Sequence, residues 1–170
     1  MRLLISAALS TLAAGSSLAA EATISVDIPQ LNVAEYHKPY VAMWVESADG
    51  SKITNLAVWY DVKHKDNEGT KWLKDMRQWW RRTGRELTMP ADGLSSPTRA
   101  PGTHQLTFDA AAKPLNGLTP GSYQLVIEAA REVGGRELLR VPFEWPPKAL
   151  ATAQAKGESE LGAVSLKLAP

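Results

Sequence analysis

Short apolar runs that alternate with polar residues, separated by turn-forming residues, constrain the fold of this chain most strongly. In "ATISVDIP" (22–29), Ile24, Val26 and Ile28 share one face, as expected of a half-buried strand. The Asp-Gly pair at 49–50 separates two β-like runs, which is a hairpin signal. The strand-like segments are 22–29, 39–47, 53–62, 104–110, 115–132 (a turn and then a strand), 136–145 and 161–168. This pattern predicts an all-β protein, an antiparallel β-sandwich of two sheets.

One local motif narrows the sandwich type. "LTPGSY" (118–123) places Tyr123 after a Pro-Gly turn at the start of a strand. This resembles the tyrosine corner of immunoglobulin-like and fibronectin-like sandwiches, in which the hydroxyl returns to upstream backbone. An ordinary turn followed by a core tyrosine is the alternative.

A single segment has the periodicity of a helix. In "TKWLKDMRQWWRRTG" (70–84), Thr70 is a candidate N-cap and Gly84 a candidate C-terminal stop. The apolar residues that fall on one face are Trp72, Leu73, Met76, Trp79 and Trp80. We therefore predict a helical insertion over 70–83 that packs tryptophans against the sandwich, followed by a motif loop over 85–103. The segment 148–158 is predicted to be a connector, either helical or disordered.

The N-terminus indicates the compartment. A short basic start, an apolar run and small residues before position 20 are typical of a cleavable secretory signal peptide, which we assign to residues 1–20. The remaining residues, 21–170, are enough for a single domain. No later run is apolar enough to span a bilayer, so we expect a periplasmic protein that is not an integral membrane protein.

Composition excludes several function classes. The chain has 19 Lys and Arg against 18 Asp and Glu, so its charge does not suggest a nucleic-acid partner. It has no cysteine, which rules out disulfides and thiolate chemistry. The three histidines show no metal-ligand spacing, and no serine has an identifiable catalytic base. We therefore expect neither a metal site nor an enzyme.

The loop "DGLSSPTRAPG" (92–102) carries the sequence's clearest chemistry. It combines three hydroxyl side chains with an acid, small neighbours and two prolines. A hydroxyl that accepts a bulky covalent group must be exposed and poorly packed, and proline disfavours helix and sheet pairing around it. The loop is either a plain polar turn or a site of covalent attachment.

The spacing in this loop resembles the Asp-Gly-x-Ser-Gly-Ala-Thr pattern of covalently flavinylated proteins, such as the flavin subunits of the sodium-pumping NADH:quinone reductase. The matching stretch is "DGLSSPT" (92–98), which departs from the pattern at Ser96 and Pro97. The resemblance implies that Thr98 accepts FMN through a phosphoester. A flavin transferase would supply the group from FAD with Mg²⁺ and would recognise Asp92 and Ser95. Arg99 adjoins the acceptor and is a candidate partner for the phosphodiester.

Over residues 22–146 the chain is also similar to the predicted periplasmic family DUF2271. The similarity lies in the 39–62 hairpin, the tryptophan-rich segment, the "DGLSSPTRAPG" loop and "LTPGSYQLVIEAAREVGGRE". Members tend to be encoded near PepSY-type membrane reductases and flavin transferases. The resemblance implies a periplasmic electron-transfer protein that carries covalent FMN and accepts electrons from a PepSY-type membrane reductase. The alternative is an unmodified sandwich that binds a peptide, a glycan or a partner protein.

Overall fold

Two β-sheets packed face to face form the frame of the protein. The computed structural model describes residues 20–170, so the expected signal peptide falls outside the described residues except for its last position. The strands are β1 (Glu21–Ile28), β2 (Tyr40–Ser47), β3 (Ile53–Tyr60), β4 (Ser95–Pro97), β5 (Gly102–Asp109), β6 (Gly121–Ala130), β7 (Arg136–Trp145), β8 (Ala151–Lys156) and β9 (Ala163–Ala169). One sheet has the order β5-β1-β9-β8 and the other β4-β3-β2-β6-β7. The predicted all-β sandwich is confirmed.

The core between the sheets is built from the alternating residues of each strand. In β1, Ala22, Ile24, Val26 and Ile28 are at most 5% exposed, while the residues between them face outward. Burying each such aliphatic side chain contributes about 1.5–3 kcal/mol before the entropy cost of ordering the chain. The period-two pattern of the sequence thus fixes which face of each strand points inward.

A second apolar cluster lies on the outer face of the five-stranded sheet. β2 is buried on both faces because Trp44 and its neighbours at alternate positions are covered by the segment between β3 and β4. That segment contributes Leu73, Met76 and Trp79, each at most 1% exposed. The architecture is therefore two sheets plus a partial third layer.

The predicted continuous helix over 70–83 is wrong in form. Residues Lys65–Asp75 form kinked 3₁₀ turns, and only Arg77–Arg82 form an α-helix, α1. The cause is Glu128 on β6, which accepts the backbone N–H groups of Gln78 (3.0 Å) and Trp79 (2.7 Å). In a continuous helix these donors would bond carbonyls four residues earlier, so the buried carboxylate starts a new helix instead.

The structure also corrects two loops. The expected connector 148–158 contains β8, which pairs with β9 as an edge strand and alternates in exposure. The expected loop 85–103 contains β4, which pairs in parallel with β3 at the sheet edge, and β5 begins within it at Gly102. Pro97 was expected to prevent pairing, but an edge strand tolerates proline because its missing N–H can point away from the sheet.

The tyrosine corner is confirmed. The Tyr123 hydroxyl donates a 2.7 Å hydrogen bond to the Thr119 carbonyl, four residues upstream.

No helix within residues 20–170 is long and apolar enough to cross a membrane. Binding residues lie disproportionately on the loops that such a rigid frame positions.

Candidate functional site

A cleft of about 510 Å³ opens at the end of the five-stranded sheet where β2 begins and β3 and β6 end. Its walls come from connections that the topology brings to this end: the segment before β2, the 3₁₀ turns after β3, the residue after β4 and the turn after β6. The lining residues are Tyr36, His37, Lys38, Tyr40, Asp61, His64, Trp72, Asp75, Thr98, Ala130, Arg131 and Glu132.

Thr98 lines this cleft. Its backbone N–H donates to the Tyr60 carbonyl at 3.2 Å, which continues the pairing of β4 by one residue beyond Pro97. Its side chain is half-buried and its hydroxyl makes no hydrogen bond to any side chain or backbone group within residues 20–170. The backbone of the predicted acceptor is thus fixed, while its oxygen is uncommitted at the wall of a cavity.

Asp92 and Ser95 belong to the tight turn that leads into β4. The Ser95 hydroxyl accepts the Ala91 N–H at 2.9 Å, and the Ser95 N–H returns to the Ala91 carbonyl at 3.0 Å. Gly93 has a φ of +73°, and no other atom lies within 4 Å of the place where its Cβ would be. The turn therefore presents Asp92 and Gly93 outward, in a conformation that glycine adopts without strain.

Arg99 points away from the cleft. Its guanidinium lies 5.3 Å from the ring centroid of Trp59, a cation–π geometry. Trp59 belongs to the core between the sheets and makes an edge contact with His104 at 5.7 Å. Thr98 and Arg99 are neighbours in sequence but do not share the cleft, so Arg99 has a packing role in this structure.

One of the lining residues, Arg131, belongs to a buried ion pair. The Arg131 Nε and Nη2 donate to the Glu160 carboxylate at 2.8 and 3.1 Å, and Glu160 also accepts the Gly135 N–H at 2.9 Å. The Arg131 side chain is 7% exposed. Its hydrogen bond to Glu160 raises the pKa of Arg131 against the cost of burial, so the guanidinium stays charged.

Two polar atoms of the cleft residues are buried without a partner in the described part of the chain. They are the Tyr36 hydroxyl and the Arg131 Nη1. Burial raises the pKa of Tyr36, and the nearby Arg131 charge opposes that shift, so at neutral pH the phenol keeps its proton and can donate. Leaving a buried polar group unpaired costs about 1–3 kcal/mol, so both atoms lower the stability of the packed protein.

The remaining cleft residues give it aromatic walls and charges of both signs. Tyr40 lies near Tyr60 in an edge arrangement at 6.1 Å, and Trp72 is 44% exposed at the rim. His37 contacts Glu35 at 2.9 Å and Glu132 at 3.5 Å. Within residues 20–170, no group of three or more His, Asp and Glu side chains is arranged to hold a metal ion.

Of the three motif residues that the sequence pointed to, Thr98 lines the cleft, whereas Asp92 and Ser95 do not, and the sequence missed the other lining residues. Trp79 of α1 is fully buried, and neither it nor Trp80 lines the cleft. The residues that do line it come from four separate connections, and no sequence spacing joins them. The sequence does not show that an arginine following a strand is buried, because its burial depends on the fold.

Comparison with known proteins adds one match. A family described as "Predicted periplasmic protein (DUF2271)" matches residues 21–163, which include every residue that lines the cleft. No curated protein and no solved structure matches the chain.

Proposed function

Because the chain belongs to the DUF2271 family of periplasmic proteins, we propose that it is an electron-transfer protein carrying FMN on the Thr98 hydroxyl. The single observation that carries the proposal is the position of Thr98, whose uncommitted oxygen lines a cleft of about 510 Å³. Clefts that hold small cofactors have volumes of roughly 300–1,000 Å³, so this one is of suitable size.

The attachment chemistry requires only the chain's hydroxyl and an external transferase. The Thr98 oxygen would form a bond to the FMN phosphorus of FAD as the diphosphate bond breaks, releasing AMP and the hydroxyl proton. The exposed turn around Asp92 and Ser95 supplies a shape that a flavin transferase can grip next to the acceptor. The Lys38 ammonium, which makes no ion pair within residues 20–170, takes the place of Arg99 as the expected partner of the phosphodiester.

The residues of the cleft fit a planar ring with polar edges. Tyr36, Tyr40 and Trp72 supply aromatic surface to the cleft. Bound there, FMN would supply one- and two-electron transfer. The chain's own aromatic groups would hold the ring in the cleft.

A covalent link suits the compartment. A flavin that dissociates outside the cytoplasm is lost by dilution, and a phosphoester bond prevents that loss. We propose that a PepSY-type membrane reductase supplies the electrons and that the chain catalyses no substrate reaction of its own. The exposed Trp72 ring at the cleft rim is the expected place of contact with such a partner.

Intact mass spectrometry tests the proposal. The full chain is expressed for export in cells with an active flavin transferase, and the mature protein is expected to gain the mass of FMN less one water. Thr98→Ala should abolish the gain and the yellow colour. Thr103→Ala, which removes an exposed hydroxyl five residues further on, should leave both intact.

A second pair of variants tests the motif itself. Asp92→Asn should reduce loading of Thr98, because the transferase would lose its recognised acid, whereas Pro97→Ala should load at least as well as the wild type. An unmodified mass for the wild type in cells that load other carriers would exclude the FMN carrier. It would favour the alternative, an unmodified binding module that uses the exposed Trp72 and the cleft to hold a peptide, glycan or partner protein.

A further inference from the structure

Positive charge is concentrated on the segment between β3 and β4. Residues 71–82 hold five cations and a single acid, Asp75, whereas acids outnumber cations in the rest of residues 21–170. All five cations are exposed, namely Lys71, Lys74, Arg77, Arg81 and Arg82. Because the formal charges of residues 21–170 cancel, residues 71–82 give the protein one positive face, which an anionic surface would attract and orient.

The geometry of the segment directs its lysines away from the sheet. In 3₁₀ turns, side chains that are three residues apart share one face. Leu73 is buried against the sheet, so Lys71 and Lys74 belong to a different row of side chains, and both are exposed to solvent. The positive face therefore lies on the outer side of the layer that covers the sheet.

The arginines of α1 extend the positive face. Arg77 and Arg81 each lie two residues from the buried Trp79, which places them about 160° around the helix from it. The Arg81 Nε donates to the Arg77 carbonyl at 3.3 Å, and its Nη2 donates to the Gln78 Oε1 at 3.0 Å. Both acceptors are neutral, so the charge of Arg81 is not compensated.

Three of the five cations have no acidic partner in the described part of the chain. Lys71 pairs with Glu68 at 2.5 Å, and Arg82 pairs with Glu46 at 3.1 Å. The cations that make no ion pair there are Lys74, Arg77 and Arg81. Their charge is available to an anionic partner.

The most exposed tryptophan of the protein lies within the positive face. Trp72 is 44% exposed, and the other five tryptophans are buried or half-buried. Trp72 and Arg77 line the same surface depression of about 520 Å³, so the indole adjoins the cations. An indole combines an apolar ring with a polar N–H, and lysine and arginine combine an apolar stem with a charged end. Both suit the boundary between the headgroups and the acyl chains of a bilayer.

We propose that the positive face binds the surface of an anionic lipid bilayer, with the Trp72 ring at the level of the headgroups. Headgroup phosphates would attract the cations, and the boundary would accommodate the indole. Trp72 also lines the cleft that contains Thr98, so binding would turn the rim of the cleft toward the membrane. The proposal goes beyond the FMN carrier and applies equally to the unmodified chain.

Vesicle sedimentation tests the proposal. The mature chain with Thr98→Ala, which cannot carry FMN on that residue, is mixed with vesicles of phosphatidylcholine and phosphatidylglycerol or of phosphatidylcholine alone. We expect binding to the anionic vesicles only, with loss of binding at about 1 M NaCl, where the Debye length falls to about 3 Å. Replacing Lys74, Arg77 and Arg81 together by glutamine should weaken binding about a hundredfold, since each basic residue near such a surface contributes about fivefold.

A matched triple variant separates the positive face from net charge. Lys113→Gln, Lys148→Gln and Lys167→Gln remove the same charge from exposed positions outside the face. This variant should bind anionic vesicles about as tightly as the starting chain. Both triple variants change only exposed side chains, so their thermal unfolding midpoints should stay within about 2 °C of the starting chain.

Tryptophan emission reports the position of Trp72. Binding to anionic vesicles should shift the emission to shorter wavelength, because the exposed indole leaves water. Trp72→Phe keeps an aromatic ring, so it should still bind but should lose most of the shift. Equal binding to both kinds of vesicle, an equal loss of binding in the two triple variants, or a full shift in Trp72→Phe would each overturn the proposal. Absence of vesicle binding would do the same and would leave an acidic protein as the candidate partner of the face.

This proposal and the FMN carrier fail separately. Vesicle binding is measured on a chain without FMN, and the gain of FMN mass at Thr98 is measured without vesicles. A chain that gains FMN but binds no anionic vesicle remains a carrier without this membrane contact. A chain that binds anionic vesicles through the positive face but never gains FMN is a peripheral membrane protein and not a flavin carrier.

Discussion

Glu128→Gln is expected to destabilise the protein by about 3 kcal/mol, because Glu128 joins the sheet to the helical layer. Its carboxylate is fully buried and accepts the N–H groups of Gln78 and Trp79 and the Arg136 Nη1 at 2.6 Å. Hydrogen bonds to a charged group contribute about 1.5–3 kcal/mol each, against about 1 kcal/mol for neutral ones. A glutamine offers one acceptor oxygen and turns an NH₂ group toward the remaining donors.

Of the three groups that donate to Glu128, Arg136 contributes least to stability, because its side chain is 40% exposed and solvent screens its charge. The two backbone bonds lie at the base of α1, so their loss weakens the attachment of the whole layer that covers Trp44. The estimate agrees with the roughly 3–5 kcal/mol lost when one partner of a buried ion pair is removed.

Thermal unfolding followed by tryptophan fluorescence measures the effect. For a domain of this length, 3 kcal/mol lowers the midpoint by about 6–12 °C. Glu158→Gln removes an exposed carboxylate and should change the midpoint by less than about 2 °C, as surface substitutions do. If the unfolding midpoint of Glu128→Gln lies within about 2 °C of the wild-type midpoint, Glu128 does not hold the helical layer on the sheet.

Two further predictions concern packing and pH. Gly84→Ala would place a Cβ within 2.6–2.9 Å of three atoms of the fully buried Trp79 ring. We expect this substitution to lower the free energy of unfolding, measured in urea, by about 1–3 kcal/mol. Gly117→Ala is the control, because no atom lies within 4 Å of its added Cβ, and its free energy of unfolding should hardly change. Partial burial of Glu137 opposes its ionisation, but backbone N–H groups of the turn at 158–161 hold its pKa below the ordinary 4.5. The stabilisation from Glu137 is therefore complete above about pH 5 and is lost as the pH falls through the lower folded pKa. The difference in unfolding free energy between wild type and Glu137→Gln should shrink between pH 7 and pH 3, and a constant difference would refute the assignment.

The alternation of apolar residues predicted most of the sheet framework, because burial on one face is encoded locally. β1, β2, β3 and β7 begin and end within two residues of the predicted segments. The helix failed for the opposite reason, since its break depends on Glu128, which lies about fifty positions away in sequence. β8 was missed because its small residues carry little strand signal, and its pairing with β9 decides its conformation.

The candidate site was likewise predicted only in part from the sequence. A short linear motif pointed to Thr98 as the proposed acceptor, since attachment chemistry would depend on a local stretch that an enzyme can grip. Tyr36 and Arg131 come from connections separated by most of the chain, so only the strand order brings them together. Their unpaired atoms are a property of the packed molecule, and no composition or periodicity encodes them.

Both outer strands of the five-stranded sheet contain a proline, Pro97 in β4 and Pro142 in β7. Each removes one N–H from a border where another chain would otherwise add a strand. The proline next to Thr98 therefore opposes strand-by-strand association of copies of the protein through that border.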